Sequence, residues 1–219
     1  MERREDKEER TMTELSEEGA RPDWPYRTPG IPDELFKRVE AIPMTKEEIR
    51  ALTLSKARLG AGDRVVDVGS GSGSITVEAA LLTVPDGVVY CIDHDERAVE
   101  LTKENARRFG VDDRTRTIHG AAPEALSNLP EVDAIIVGGG SELIAGIVAE
   151  AKKKLAENGR IVINAILIET MAKAVEALSA NGFGEIETTY AIIAKGMTTR
   201  MGTAMLARNP VMIISAVKK

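Results

Sequence analysis

The sequence is short of several things at once. Its 219 residues include one cysteine (Cys91), one tryptophan, two histidines and 3% aromatics. A lone cysteine closes no internal disulfide, which excludes a disulfide framework and fits a reducing, cytoplasmic setting. One cysteine and two histidines are too few for a His/Cys zinc site, so no metal site is expected. No run of about 18 apolar residues occurs, so no membrane-spanning helix and no membrane partner are expected. The opening stretch, MERREDKEERTMTELSEEGA, has no apolar core of the kind a secretory leader needs, and none is expected. A cationic surplus is missing as well. The 29 Lys+Arg stand against 35 Asp+Glu, a net charge of −6, which argues against nucleic acid as a partner.

What remains is a globular composition, 43% hydrophobic and 29% charged, on a length that suits one domain with a full core. The charge is uneven. Residues 1–23 hold nine acids against five bases, so the rest of the chain is close to neutral and has room for a local basic patch. Residues 1–22 carry almost no large apolar side chain and cannot offset ordering entropy, so they are expected to form a mobile charged tail. Residues 23–62 are expected to form an N-terminal arm and helix. Prolines at 25, 29 and 32 forbid a regular helix in DWPYRTPGIPDELF, which should be extended but ordered. Thr45, with Glu48 three residues on, reads as a capping box. Ile49, Leu52 and Leu59 then recur at helical spacing, and a helix over about 46–59 follows.

From residue 63 to 219 the pattern alternates. Apolar runs VVDVG (65–69), VVYCID (88–93), RTIH (116–119), DAIIVGG (133–139) and RIVINAI (160–166) are separated by segments of helical period. Three of those segments end at Gly110, Gly159 and Gly182, where left-handed caps are expected. Two long strand-like runs, GEIETTYAIIAKG and TAMLARNPVMIISAV, close the chain across GMTTRMG with no helix between them. The expected fold class is therefore α/β. A Rossmann-like, seven-stranded, mostly parallel sheet is covered by helices on both faces and ends in a C-terminal antiparallel hairpin.

The chemistry should lie at the carboxyl ends of the strands. The first strand runs into Asp67-Val68-Gly69-Ser70-Gly71-Ser72-Gly73 and a helix follows at once. Glycines at a strand-to-helix turn allow unusual backbone angles and close approach of a ligand, and the helix start offers free N–H groups. The spacing is G-x-G-x-G rather than the dinucleotide G-x-G-x-x-G, and no Walker lysine follows. D-x-G-x-G-x-G in this context resembles the S-adenosyl-L-methionine loop of class I methyltransferases. Asp93, at the end of the second strand, can then accept both ribose hydroxyls, while Asp95 is expected to cap the next helix. After the third strand, Gly120-Ala121-Ala122-Pro123 lies where such enzymes pass the adenine edge. An acid is common after the glycine there, and here Ala121 stands instead, so backbone groups around Ala122 must do the recognition. Gly138-Gly139-Gly140 ends the fourth strand and leaves room for a bulky acceptor. His94 and His119 lack a partner at ligand or triad spacing and are read as bland, and the methionines of MTTRM with Met205 and Met212 are read as packing residues.

Longer segments carry a sharper resemblance: WPYRTPGIPDELF with PMTKEEIRALTLSKARL, DVGSGSGSITVEAA, NGRIVINAILIET and GTAMLARNP, joined by GAAPEAL and IIVGGGSEL. Over about residues 24–217 the chain resembles the decarboxylating cobalt-precorrin C15-methyltransferases of anaerobic cobalamin synthesis. The resemblance implies a homotetramer that methylates C15 of a cobalt-bearing tetrapyrrole and removes CO2 from the acetate on C12. It implies cofactor contacts from Thr45, Gly69, Ser70, Gly71, Ser72, Gly73 and Asp93, so Thr45 has two readings, cap and cofactor contact, that can both hold. An electron-rich ring carbon needs no strong base, and alignment can supply much of the rate. Lys195, Arg200 and Arg208 are candidate partners for substrate carboxylates, and Asn164, Glu169 and Arg200 are candidate catalytic groups. The rivals are a tRNA-adenine or isoaspartyl methyltransferase, a nicotinamide oxidoreductase, and a cofactor-binding regulator.

Overall fold

Alternation of apolar runs with helical segments gives the sheet its parallel core. The computed structural model describes residues 24–219, so the segment expected to be a mobile tail lies outside the described residues. The elements are α1 (Glu47–Ala57), β1 (Arg64–Val68), α2 (Ser74–Leu82), β2 (Val88–Asp93), α3 (Glu96–Phe109), β3 (Thr115–His119), α4 (Glu124–Ser127), β4 (Val132–Val137), α5 (Ile144–Lys154), β5 (Leu155–Ala165), α6 (Ile168–Ala180), β6 (Phe183–Ala191), β7 (Ala194–Thr199), β8 (Gly202–Ala207) and β9 (Val211–Lys218). The seven-stranded sheet has the order β3-β2-β1-β4-β5-β9-β6. β1 to β5 run parallel, and β9 is antiparallel to both β5 and β6. The expected α/β architecture holds. No helix among the described residues is long and apolar enough to cross a membrane.

Alternate residues of each strand feed opposite faces of the sheet. Val66, Ile135 and Val137 join Leu126, Ile147 and Leu178 under α4 to α6. Val65, Ala134 and Ile136 join Ile31, Phe36 and Leu54 under the arm and α1 to α3. Both faces are thus covered, as continuous apolar strands require.

The end of the chain is more divided than its sequence suggests. Each long run splits in two. β6 and β9 pair within the main sheet, while β7 and β8 form a separate two-stranded hairpin turning at Thr199–Gly202. Met212 is core, but Met197, Met201 and Met205 are exposed on that hairpin, so the packing reading fails for three of the four.

Two local readings are corrected. Thr45 does not cap α1. The helix begins at Glu47, whose N–H donates to Asp33 Oδ1 at 3.0 Å, so the cap comes from the arm rather than from the preceding residue. Its buried face is Ile49, Arg50, Thr53, Leu54 and Ala57, with Leu52 exposed, because a buried guanidinium occupies one stripe position. α5 ends at Lys154 on an extended residue, and the left-handed residue that follows is Asn158, within β5, not Gly159. Gly110 and Gly182 take left-handed angles as expected, and Asp95 caps α3 by accepting from Arg97 N–H at 2.9 Å.

Candidate active site

Chain order reverses between β1 and β4, and the crevice opens beyond their carboxyl ends, at the switch point of the sheet. The β1 turn is folded tightly into its surroundings. Gly69 (φ 78°) and Gly71 (φ 54°) take angles that disfavour other residues, and a Cβ on them would lie 2.8 Å from Gly139 N and 2.5 Å from Pro43 O. Pro43 O also accepts from Ser72 N–H at 3.1 Å. The turn is therefore wedged between the β4 loop and the arm.

A cavity of 590 Å³ lies over it, lined by Pro43, Gly69, Gly71, Asp93, Gly120, Ala121, Ala122 and the Gly138–Leu143 loop, with His94 and Asp95 at its side. Asp93 is nearly buried. Its Oδ2 accepts from Gly71 N–H at 2.9 Å and its Oδ1 from Asp95 N–H at 3.0 Å. Two backbone donors thus fix the carboxyl plane. Asp67, in β1, is buried, with Thr76 Oγ1 donating to its Oδ2 at 2.7 Å and, among the described residues, no partner on its Oδ1. Burial, reinforced by the charge of Asp93 against the Thr76 hydrogen bond, pushes Asp67 up to about 6. Cys91 is pushed up to about 12, chiefly by burial, and is inert as a thiol.

A second cavity, of 510 Å³, adjoins the first. Pro43 and Gly138 line both. Its remaining walls include Thr45, Lys46, Glu48, Asn164, Ile193, Arg208 and Asn209. Asn164 is held at the end of β5, its Oδ1 3.0 Å from Thr53 Oγ1, while its Nδ2 has no partner among the described residues.

The expected site residues do not all fall together. Gly69, Gly71, Asp93, Ala121 and Ala122 line the first cavity. Thr45, Asn164 and Arg208 line the second, and Pro43, two residues before Thr45, lines both. Ser70, Ser72 and Gly73 support the turn from behind. The Ser70 hydroxyl accepts from Thr102 Oγ1 at 3.1 Å, and Gly73 starts α2. Glu169 and Arg200 line neither cavity. Glu169 is in the exposed first turn of α6 and Arg200 in the hairpin turn. Lys195 is bound to Glu47 and Glu48 at 3.1 and 2.6 Å.

Sequence reasoning missed the cluster that ties the arm to α1 and holds the backbone of Thr45. The buried Arg50 donates to Glu78, Asp33, Thr45 O and Ile31 O, and Glu78 accepts from Gly30 and Ile31 N–H. The only local sign was the charged residue in an apolar helix stripe. This cluster also explains why PGIPDELF and MTKEE occur together: the first supplies the cap and anchor for the second.

This strand order, with a glycine turn after β1 and a carboxylate closing β2, defines a class I methyltransferase fold. A family model described as the precorrin methyltransferase domain matches residues 35–218. The chain is 54% identical over 197 residues to a protein of Saccharolobus solfataricus named a probable cobalt-precorrin-6B C(15)-methyltransferase (decarboxylating), covering 90% of this chain and 99% of that one. Among solved structures it is similar to precorrin 8W decarboxylase of Methanobacterium thermoautotrophicum (38% identity, TM-score 0.80, 85% and 98% covered). It is also similar to a precorrin-6y C5,15-methyltransferase of Geobacter metallireducens (32%, TM-score 0.81, 88% and 100% covered). The chain belongs to the precorrin methyltransferase family.

Proposed function

We propose that the protein is a cytoplasmic enzyme of cobalamin synthesis. It transfers a methyl group from S-adenosyl-L-methionine to C15 of a cobalt-precorrin and removes CO2 from the C12 acetate, with neither nucleic acid nor membrane as partner. The observation that carries the reading is the pair of cavities sharing Pro43 and Gly138, a donor chamber against an acceptor chamber, in a chain of this family.

The residues present fit the cofactor. The β1 turn is glycine where a side chain would intrude, and the anchored Asp93 carboxylate faces a 590 Å³ space. Gly69, Gly71 and Asp93 would hold it, with backbone at Ala121 and Ala122 against the base. When bound, it supplies a methyl group activated by its sulfonium.

The chain's own residues do the rest. Pro43 and Gly138 put no long side chain at the junction, which lets the two reacting groups approach. Asn164 and Thr45 offer polar atoms in the acceptor chamber, where Asn164 can orient a ring substituent. The hairpin β7–β8, exposed and apolar, supports a homotetramer.

The test is incubation with the cobalt tetrapyrrole and methyl-labelled S-adenosyl-L-methionine, followed by mass spectrometry. Gain of a methyl group and loss of CO2 are both expected. Gain alone removes the decarboxylase half, and neither change removes the reading.

A further inference from the structure

Every cation that lines the acceptor cavity already has an acid partner. Arg208 Nη1 lies 3.2 Å from Glu48 Oε2 and 3.9 Å from Asp33 Oδ2, and Lys46 lies 3.6 Å from Asp33. The other oxygen of Glu48 accepts from Lys195 at 2.6 Å. One glutamate carboxylate therefore sits between two cations, as a substrate carboxylate would, on the wall of the cavity. A polyanionic tetrapyrrole entering here must either face Glu48 and Asp33 or displace one of them.

The two acids differ in how readily they leave. Asp33 is nearly buried, caps α1 and pairs with Arg50. Glu48 is about a quarter exposed and lies in the first turn of α1, where an anion stays favoured after its side chain swings toward solvent. Arg208 does not move with it. Its backbone N–H donates to Ile193 O at 2.9 Å where the hairpin leaves the sheet, which fixes the base of the side chain.

We propose that Arg208 is the specificity-determining receptor for a peripheral carboxylate of the tetrapyrrole, and that Glu48 holds its place until the substrate displaces it. The inference rests on the tetrapyrrole reading above. Glu48 is ionised for the role: burial pushes its pKa up, but the Lys195 hydrogen bond and the charges of Lys195 and Arg208 more than compensate, leaving it lowered. Exchange favours the substrate because a guanidinium binds a carboxylate through two parallel hydrogen bonds, whereas Glu48 divides its oxygens between two cations.

The test is fluorescence titration of the full chain with a porphyrin polycarboxylate and with its methyl ester. Wild type is expected to bind the acid better than the ester. Arg208→Ala should weaken the acid by roughly tenfold or more. Arg208→Lys, which keeps the charge but loses the fork, should fall between and keeps the test open if the alanine variant does not fold. Glu48→Gln should bind the acid about threefold more tightly, since the competing charge is gone. The ester should not distinguish the variants. If wild type binds the acid and all three variants match it, the assignment to Arg208 falls while the tetrapyrrole reading stands. Weakening by Glu48→Gln would overturn the placeholder role. If wild type binds neither compound, both readings fall together.

Discussion

Asp67 and Asp93 are carboxylates on the neighbouring strands β1 and β2, and their surroundings set them to different tasks. Asp93 accepts one backbone N–H on each oxygen, which orients it and keeps a second lone pair on each for a ligand. An amide there would turn an N–H against Gly71 or Asp95 N–H. Asp93→Asn is therefore expected to weaken S-adenosylhomocysteine by roughly 10- to 150-fold, read by calorimetry. Unchanged affinity would remove Asp93 from the site. Asp67 instead contributes to pH dependence. Its folded-state pKa of about 6 lies above the ordinary value of 3.8. The stability linked to it is fully present below about pH 4 and is lost as pH rises through about 6. At pH 8 the free protein carries a buried ionised group, a cost of order 2–3 kcal/mol. Asp67→Asn is thus expected to melt higher than wild type at pH 8, with the gap closing toward pH 4. Parallel melting curves across that range would refute the burial argument.

At the scale of elements, the arm and α1 act as one unit, held by charge in a place where charge is costly. Arg50 is fully buried and meets two carboxylates and two backbone carbonyls. Asn105, on α3, ties the arm to the glycine turn by donating to Lys37 O at 3.0 Å and Ser72 O at 2.8 Å. Removing the guanidinium strands Glu78 in the interior. Arg50→Ala should cost about 3–5 kcal/mol and expose residues 24–45 to limited proteolysis before the sheet. If the melting temperature drops while the arm stays protected, the cluster stabilises the molecule without positioning the arm. Local pattern could not reveal this unit. Thr45 and Glu48 satisfy a capping box on paper, yet Asp33 caps the helix from 14 residues upstream and Glu48 turns to Lys195 and Arg208.

At the scale of the whole molecule, the β7–β8 hairpin stands off the main sheet with Met201 fully exposed and Met205 and Leu206 more than half exposed. Ile166, Leu167, Ile168, Tyr190 and Ile192 are exposed as well. Exposed apolar surface of this kind is what the proposed association of subunits would cover. Light scattering should show wild type as an oligomer, and Met205→Glu with Leu206→Glu should shift it to a smaller species. A monomeric wild type would refute the association.

The sequence by itself determined the layered sheet, the glycine turn, the carboxylate closing β2 and the antiparallel end. Each is written in neighbouring residues: a period of two or 3.6, a glycine spacing, a strand boundary. Only the tertiary structure decided that Thr45 lines the second cavity, that Lys195 is already engaged, that Arg200 and Glu169 stand outside both cavities, and that Arg208 lines the second. Those outcomes depend on which distant segments pack together, because a long charged side chain takes whichever partner the folded backbone brings within reach, and no local periodicity encodes that distance.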